Sequence, residues 1–466
     1  MPRTKIIATI GPACDEPETL RALIDAGVSV ARLNASHTSR RDLERRFSAV
    51  RATAQAAHKH VAVMLDLGGP KLRVGEVVPG TVLVAGDRFE LVTSECVGDS
   101  RHACVTYPHL QADVPDGARL LIDDGRIELT VTGRRDDALV TEVGIGGPLG
   151  SHKGVNVPGV RLGLDAITEK DREDLAWGIG VGVDFVAQSF VRSATDVLRL
   201  RALMGERPVP IVAKIEKHEA VAAIDEIIAV ADAVMVARGD LGVETATEQV
   251  PVVQRQIVGA CRAAGRPVII ATQMLESMTV STRPTRAEAS DVANAIFDEV
   301  DAVMLSGETA VGEHPVEAAA TMARIATVAE ASLADRAAAA PTPGGRDDVT
   351  RAVSTAVSEL AWDLELAAIV TATQSGATAF AVAAHRPRTP IVAVTPEAAV
   401  ARRLAIVWGV TALVVEQHGT IDEMLAYSVA AIKAAGFALP GQMVALTGGV
   451  AVGVPGTTNL VQVTRV

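Results

Sequence analysis

Residues 210–240 read PIVAKIEKHEAVAAIDEIIAVADAVMVARGD, and this stretch decides how the rest of the chain is read. The runs 210–215 and 233–236 are short, apolar and rich in β-branched residues, while 219–229 places apolar residues at helical spacing. Continuous apolar runs are the pattern of strands buried on both faces. The stretch therefore predicts a strand, a helix and a second, parallel strand. Both strands end in polar residues: Lys214 and Glu216 after the first, then Arg238, Gly239 and Asp240 after the second.

The alternation continues in both directions. Strands are predicted at 5–10, 29–33, 61–66, 183–187, 268–271 and 302–305, and helices at 17–25, 41–58, 250–264 and 315–334. With the opening unit this makes an α/β chain of eight strands and interposed helices, the pattern of a (β/α)8 TIM barrel. The connection between the third and fourth strands, 67–182, is far too long for one barrel step. Within it, 73–159 changes to alternating segments at 81–84, 88–92, 118–122, 127–132 and 138–143, set between Gly, Pro and Asp turns. That predicts an inserted small all-β domain, which returns to the barrel through 153–159, KGVNVPG. The Ala-, Pro- and Gly-rich run 337–345 reads as a linker. Beyond it, strands at 367–373, 390–395, 410–415 and 442–447 alternate with helices at 349–362, 377–385 and 421–435, a small open α/β domain. The expected division is 1–69 and 160–336 for the barrel, 70–159 for the insert, 337–348 for the linker and 349–466 for the last domain.

Composition excludes several classes. A chain of 466 residues has room for two to three domains at about 150 residues each. Acids outnumber bases 56 to 44, a net charge of −12, so there is no general attraction to nucleic acid or an anionic membrane. With 48% apolar residues the chain is not disordered. The four cysteines, at 14, 96, 104 and 261, form no CxxC pair, which argues against a disulfide framework or a zinc site. The start, MPRTKIIATIGP, lacks the form of a signal peptide, and the uncharged stretch 434–464 is too broken by Gly and Pro for a membrane helix. A soluble, cytoplasmic protein is expected. Lysine is scarce, 8 against 36 Arg. Arg replaces Lys freely on a solvated surface but poorly where a compact ammonium is required.

Barrel chemistry sits at the carboxyl ends of the strands. Here those ends carry Arg32-Leu-Asn34-Ala-Ser36-His37, Asp66 with Lys71 and Arg73 beyond it, Lys214 and Glu216, Arg238-Gly239-Asp240, Thr272-Gln273, and Ser306-Gly307-Glu308. Two carboxylates, Glu216 and Asp240, end neighbouring strands without any His or Cys cluster, which favours Mg²⁺ or Mn²⁺ over zinc. Lys214 lies two residues before Glu216, so both point the same way. An ammonium beside a metal suits stabilisation of an enolate or of a phosphoryl group in transfer; a Schiff base is the alternative. Arg32, Arg73 and Arg238 are fork-shaped donors for phosphate or carboxylate. Gly239–Gly242 and Asp301–Glu308 are read as tight turns whose amides approach a ligand. A metal-dependent aldolase or lyase working through an enolate would use the same Lys, Glu and Asp, and a non-catalytic, effector-binding paralogue is a third possibility.

These motifs, together with Gly69-Pro-Lys71-Leu-Arg73, Lys153-Gly-Val-Asn-Val-Pro158, Ala271-Thr-Gln-Met-Leu-Glu-Ser277, Arg283-Pro-Thr-Arg-Ala-Glu288 and Met304-Leu-Ser-Gly-Glu-Thr309, resemble in order the motif series of the pyruvate kinase family. The resemblance runs from Thr4 to Arg465. It implies phosphoryl transfer from phosphoenolpyruvate to ADP, with pyruvate and ATP as products. By similarity, Glu216 and Asp240 hold Mg²⁺ or Mn²⁺, and Lys214 stabilises the transferring phosphoryl group and the enolate. Arg32 binds the phosphate, and the amides of Gly239 and Asp240 with Thr272 hold the substrate carboxylate. Thr272 also belongs to the network around enolate protonation, and Ser306 and Glu308 lie near it. Asn34, Arg73 and Lys153 face the nucleotide, and Asp123-Asp124 resembles the loop of a lid. The family also implies a homotetramer joined through barrel and C-terminal faces.

The chain departs from the family pattern at two places. Many members bind K⁺ through residues matching Asn34, Ser36, Asp66 and the backbone at Leu67, and carry Glu where this chain has Lys71. A tethered ammonium there predicts that K⁺ is not required. The loop Thr371–Thr378 resembles the family's effector loop, with Thr373, Ser375, Gly376 and Thr378 as the candidate phosphate cradle. Gln374 stands where some fructose-bisphosphate-activated members have Lys, Ala377 adds no polar group, and the loop 448–456 has no Arg or Lys. A monophosphate such as AMP, glucose 6-phosphate or ribose 5-phosphate is therefore expected as activator rather than a bisphosphate.

Overall fold

The structure is a computed structural model and describes residues 2–36, 38–135, 137–333, 348–417, 420–449 and 458–466. Eight parallel strands close into a barrel: β1 (Lys5–Thr9), β2 (Val28–Asn34), β3 (Ala62–Asp66), β4 (Phe185–Gln188), β5 (Ile211–Ile215), β6 (Ala233–Ala237), β7 (Val268–Ala271) and β8 (Ala302–Leu305). Each pairs with its sequence neighbours, and β1 closes on β8 with Lys5 opposite Ala302. β3, β5, β6, β7 and β8 are buried at every position, as continuous apolar runs require when helices cover one face and the bore the other. The opening stretch forms as read, except that its helix is two, His218–Ala222 and Ile224–Val230, interrupted at Ala223.

Two helix starts position the mouth of the barrel. Thr168 and Asp171 form a reciprocal capping box at Glu169–Val181, and Thr285 and Glu288 form another at Arg286–Phe297. Asp171 also accepts the amide of Gly69, and Glu288 that of Ser277. The caps therefore hold the loops after β3 and β7 as well as the helices they begin.

The insert between β3 and β4 is a six-stranded sheet in the order Val155–Asn156, Arg119–Ile122, Ile127–Arg135, Ala138–Ile145, Arg88–Val92, His102–Cys104, with a two-stranded ribbon beside it. It has its own core around Phe89, Leu91, Leu120 and Leu129. The C-terminal domain is a five-stranded sheet ordered Val410–Val414, Ile391–Thr395, Ala368–Ala372, Met443–Gly449, Thr458–Arg465. Its last strand is antiparallel and is absent from the sequence expectation, because a half-exposed edge strand with Asn and Gln among its residues carries no continuous apolar run. Residues 337–347 of the expected linker and most of the loop 448–456 lie outside the described residues, as does His37.

Candidate active site

On β5, Lys214 and Glu216 project toward one side, as their spacing requires. The Lys214 ammonium is buried. It donates to Ser189 Oγ at 2.7 Å and lies 2.8 Å from Glu216 Oε1 and 3.3 Å from Asp66 Oδ1. Asp66 in turn receives Arg32 Nε at 2.7 Å, and Arg32 Nη1 reaches Thr9 Oγ1 at 3.0 Å. Three strand ends thus build one alternating chain of charge, Arg32, Asp66, Lys214, Glu216.

The electrostatics follow from that chain. Burial works against the Lys214 ammonium, but Asp66 and Glu216 outweigh it and its pKa is raised. Burial likewise opposes ionised Asp66, but Lys214 and Arg32 hold it below the usual carboxylate range. Glu216 moves up: burial exceeds the pull of Lys214, and the neighbouring Asp240 adds to the rise. The second oxygen of Glu216 accepts the amide of Phe190 at 2.7 Å. Two carboxylates that strain against each other at a barrel mouth are a place for a cation.

Asp240 starts not a turn, as the sequence suggested, but the first turn of a helix, Arg238–Glu244. Residues 301–308 are likewise the strand β8 followed by a helix at Gly307–Ala310. Gly239 N donates to Thr272 Oγ1 at 2.8 Å, and Arg238 holds the Thr272 carbonyl at 2.9 Å and Asp291 at 2.7 Å. Thr272, Gln273 and Phe190 all stand at left-handed φ, 69°, 54° and 54°. Such residues persist where the surroundings over-determine them, commonly at functional sites. Gly69, itself at φ 67°, permits the crowding: a Cβ there would lie 2.8 Å from the Phe190 ring. Glu308 is fully buried and accepts the amides of Leu275 and Ser306, while the Ser306 hydroxyl is buried with no partner among the described residues.

The remaining candidates lie around this cluster. Asn34 Oδ1 accepts the amide of Ser36, and the Leu67 carbonyl accepts Ser189 Oγ at 2.7 Å. Lys71 departs from expectation. Its ammonium contacts Asp240 Oδ1 at 3.1 Å, because the chain turning into the insert carries it across to the metal-side carboxylate. Arg73 bonds the His152 carbonyl, and Lys153 pairs with Asp123 at 2.9 Å, all within the insert. Asp123 and Asp124 form a left-handed turn there. In the C-terminal domain Thr373 Oγ1 caps the amide of Gly376, while Thr378 Oγ1 is buried against Thr458 Oγ1 at 2.7 Å and faces away from any cradle.

Residues 1–319 match the family described as pyruvate kinase, barrel domain, and residues 351–464 match pyruvate kinase, alpha/beta domain. The chain belongs to the pyruvate kinase family. The pyruvate kinase of Geobacillus stearothermophilus is 47% identical over 99% of this chain and 80% of its own length, and that of Clostridium acetobutylicum 43% identical over 99% of both. A solved pyruvate kinase from Cryptosporidium parvum superposes with a TM-score of 0.92 at 36% identity, covering 100% of this chain and 96% of the other. Pyruvate kinase membership implies a divalent metal, and the residues fit one. Glu216 and Asp240 offer hard carboxylate oxygens, and no described group of three or more His, Cys, Asp or Glu competes with them. Two protein carboxylates with substrate and water oxygens are what Mg²⁺ takes.

Ser189, Phe190 and Thr9 are not among the residues expected from the sequence. Thr9 ends β1, and Ser189 and Phe190 follow β4, so the rule that points to the carboxyl ends of the other six strands points to them too.

Proposed function

We propose that this pyruvate kinase transfers the phosphoryl group of phosphoenolpyruvate to ADP, as the motif series implies. The observation that supports the reading is the Lys214 ammonium, buried between Asp66 and Glu216 and kept charged by them. Phosphoryl transfer needs positioning and charge neutralisation more than covalent chemistry. Arg32 grips the phosphate of the substrate from the side of Asp66. Lys214 neutralises the phosphoryl oxygens in transfer and then the enolate oxygen left behind. The amides of Gly239 and Asp240, with Thr272, orient the substrate carboxylate. The unpartnered hydroxyl of Ser306 is available to a water, and with Thr272 it delivers the proton that converts the enolate carbon to a methyl group. A Mg²⁺ or Mn²⁺ ion held by Glu216 and Asp240 supplies further neutralisation of substrate oxygens. Asn34, Arg73 and Lys153 serve the nucleotide, and the insert excludes water that would hydrolyse the phosphoryl donor. The protein acts in the cytoplasm, as a homotetramer.

The test is pyruvate formation coupled to lactate dehydrogenase, with phosphoenolpyruvate, ADP and Mg²⁺. Pyruvate release that does not depend on ADP overturns the reading. The same assay tests the monovalent ion. Lys71 stands where K⁺-dependent members of the family carry Glu, so activity in Na⁺ or tetramethylammonium should rise little on adding K⁺. An activation of about tenfold, worth 1.36 kcal/mol in barrier, refutes K⁺ independence, and Lys71→Glu should create such a response.

Regulation by a monophosphate rests on Thr373, Ser375 and Gly376, since the Thr378 hydroxyl is already engaged. Gly376 turns at φ 92° into the helix Ala377–Ala383. A flat rate response to AMP, glucose 6-phosphate and ribose 5-phosphate rejects it.

A further inference from the structure

The strand that brings the insert back to the barrel ends on a buried carboxylate that the proposed reaction leaves without a role. Glu244 closes the helix Arg238–Glu244, and its side chain is 1% exposed. Its Oε1 accepts Asn156 Nδ2 at 2.9 Å and lies 2.5 Å from Lys217 Nζ. Its Oε2 is 3.8 Å from His218 Nδ1, which itself contacts Glu219 at 3.1 Å. The contacts come from separate segments. Asn156 lies in the return strand, three residues beyond Lys153. Lys217 directly follows Glu216. The helix that Glu244 ends carries Gly239 and Asp240 in its first turn.

A carboxylate at this point is not explained by the helix. Acidic side chains at a helix C-terminus face the negative end of its dipole, which disfavours them. Burying one adds a desolvation cost that only its partners offset. Glu244 therefore stands against local preference, held by the lid on one side and by the Glu216 segment on the other.

We infer that Glu244 is a positioning residue, which through Asn156 and Lys217 ties the placement of the lid to the relative placement of Glu216 and Asp240. The inference deepens the proposed reaction and rests on it for its meaning. The test does not need turnover. Mn²⁺ alone is titrated into the protein and the unbound ion is followed by electron paramagnetic resonance. Asn156→Asp opposes two carboxylates, and Glu244→Gln removes the charge facing Lys217. Each should weaken Mn²⁺ binding about tenfold, the low end of what outer partners of metal ligands cost. The combined exchange restores one carboxylate and one carboxamide across the same contact and should recover most of the loss, with the KM for ADP following the same order. Simple addition of the two losses overturns the coupling. So does wild-type Mn²⁺ affinity in single variants whose thermal midpoints are unchanged. If Glu244→Gln does not fold, Asn156→Asp and Asn156→Ala decide, with the alanine variant expected to lose less than the aspartate. Wild-type affinity in both overturns the inference. Failure of the wild type to make pyruvate from phosphoenolpyruvate and ADP would remove the proposed reaction but would not alter the Mn²⁺ result.

Discussion

The two ends of the barrel use the same residue types differently. At the floor, Asp301 binds Arg386 through both oxygens at 3.0 Å and also accepts the amides of Val268 and Trp408. Asp184 sits 2.8 Å from both Arg51 and Arg402, and Glu330 takes the amides of Arg3 and Thr4. The guanidiniums of Arg3 and Arg386 lie 5.3 and 5.1 Å from the Trp408 ring. Bore residues Ile7, Met64 and Met235 continue into one core with Leu404, Ile406 and Val407 of the C-terminal domain. At the mouth, one ammonium serves two carboxylates, a third carboxylate raises the pKa of its neighbour, and a buried hydroxyl has no partner among the described residues. Saturated charge fastens one domain to another. Unsaturated charge, held in place by strained backbone, is what a substrate and a cation can complete.

The largest effect should come from breaking the floor. Asp301→Ala leaves Arg386, whose side chain is 8% exposed, as an unpaired buried charge. Removing one partner of such a pair costs about 3–5 kcal/mol. The urea midpoint should fall accordingly, while the rate per folded molecule stays near wild type. A rate loss without a stability loss would put Asp301 on the wrong side of the comparison. Lys214→Met breaks the mouth instead. Removing a donor to a developing oxyanion costs about 10²–10³ in rate, so kcat per folded molecule should fall by that factor in the coupled assay, while the stranded Asp66 and Glu216 lower stability as well. Wild-type turnover in this variant rejects the role given to Lys214.

That contrast was half legible in the sequence. The mouth could be read because apolar strands end abruptly in Arg, Asp, Lys and Glu, and because a strand period of two puts Lys214 and Glu216 on one side. Ser189 could not be weighted in the same way, since a lone Ser after a strand is common. Its role depends on Phe190 turning left-handed and on Gly69 allowing the approach. Lys71 is expected beside the monovalent-ion residues and lies against Asp240 instead, because spacing says nothing of where a chain turns as it leaves a barrel. The Asn156–Glu244 contact joins residues 88 apart with no shared pattern. The floor was invisible for a similar reason. Arg386, Arg402 and Trp408 read as ordinary surface residues of a separate domain until that domain is placed against the barrel.

Lys5 offers the smallest and sharpest test at the floor. Its ammonium donates to the Val410 carbonyl at 2.7 Å, a neutral acceptor like the Pro387 and Arg388 carbonyls that take the Arg3 guanidinium, whereas Arg386 and Arg402 have carboxylates. Burial lowers its pKa to about 8 from 10.5, with Glu330 offsetting only part of the shift. Between those values the unfolded chain holds the proton and the folded chain does not, so stability should rise with pH through this window. The full shift is an upper bound, because part of the Lys5 surface remains exposed. A gain of roughly 1–2 kcal/mol is expected once solvent screening is allowed for. Thermal midpoints of wild type and Lys5→Met, followed from neutral to alkaline pH, isolate this contribution: the wild type should gain on the variant above pH 8. Parallel curves would mean that Lys5 is as well compensated as Arg386.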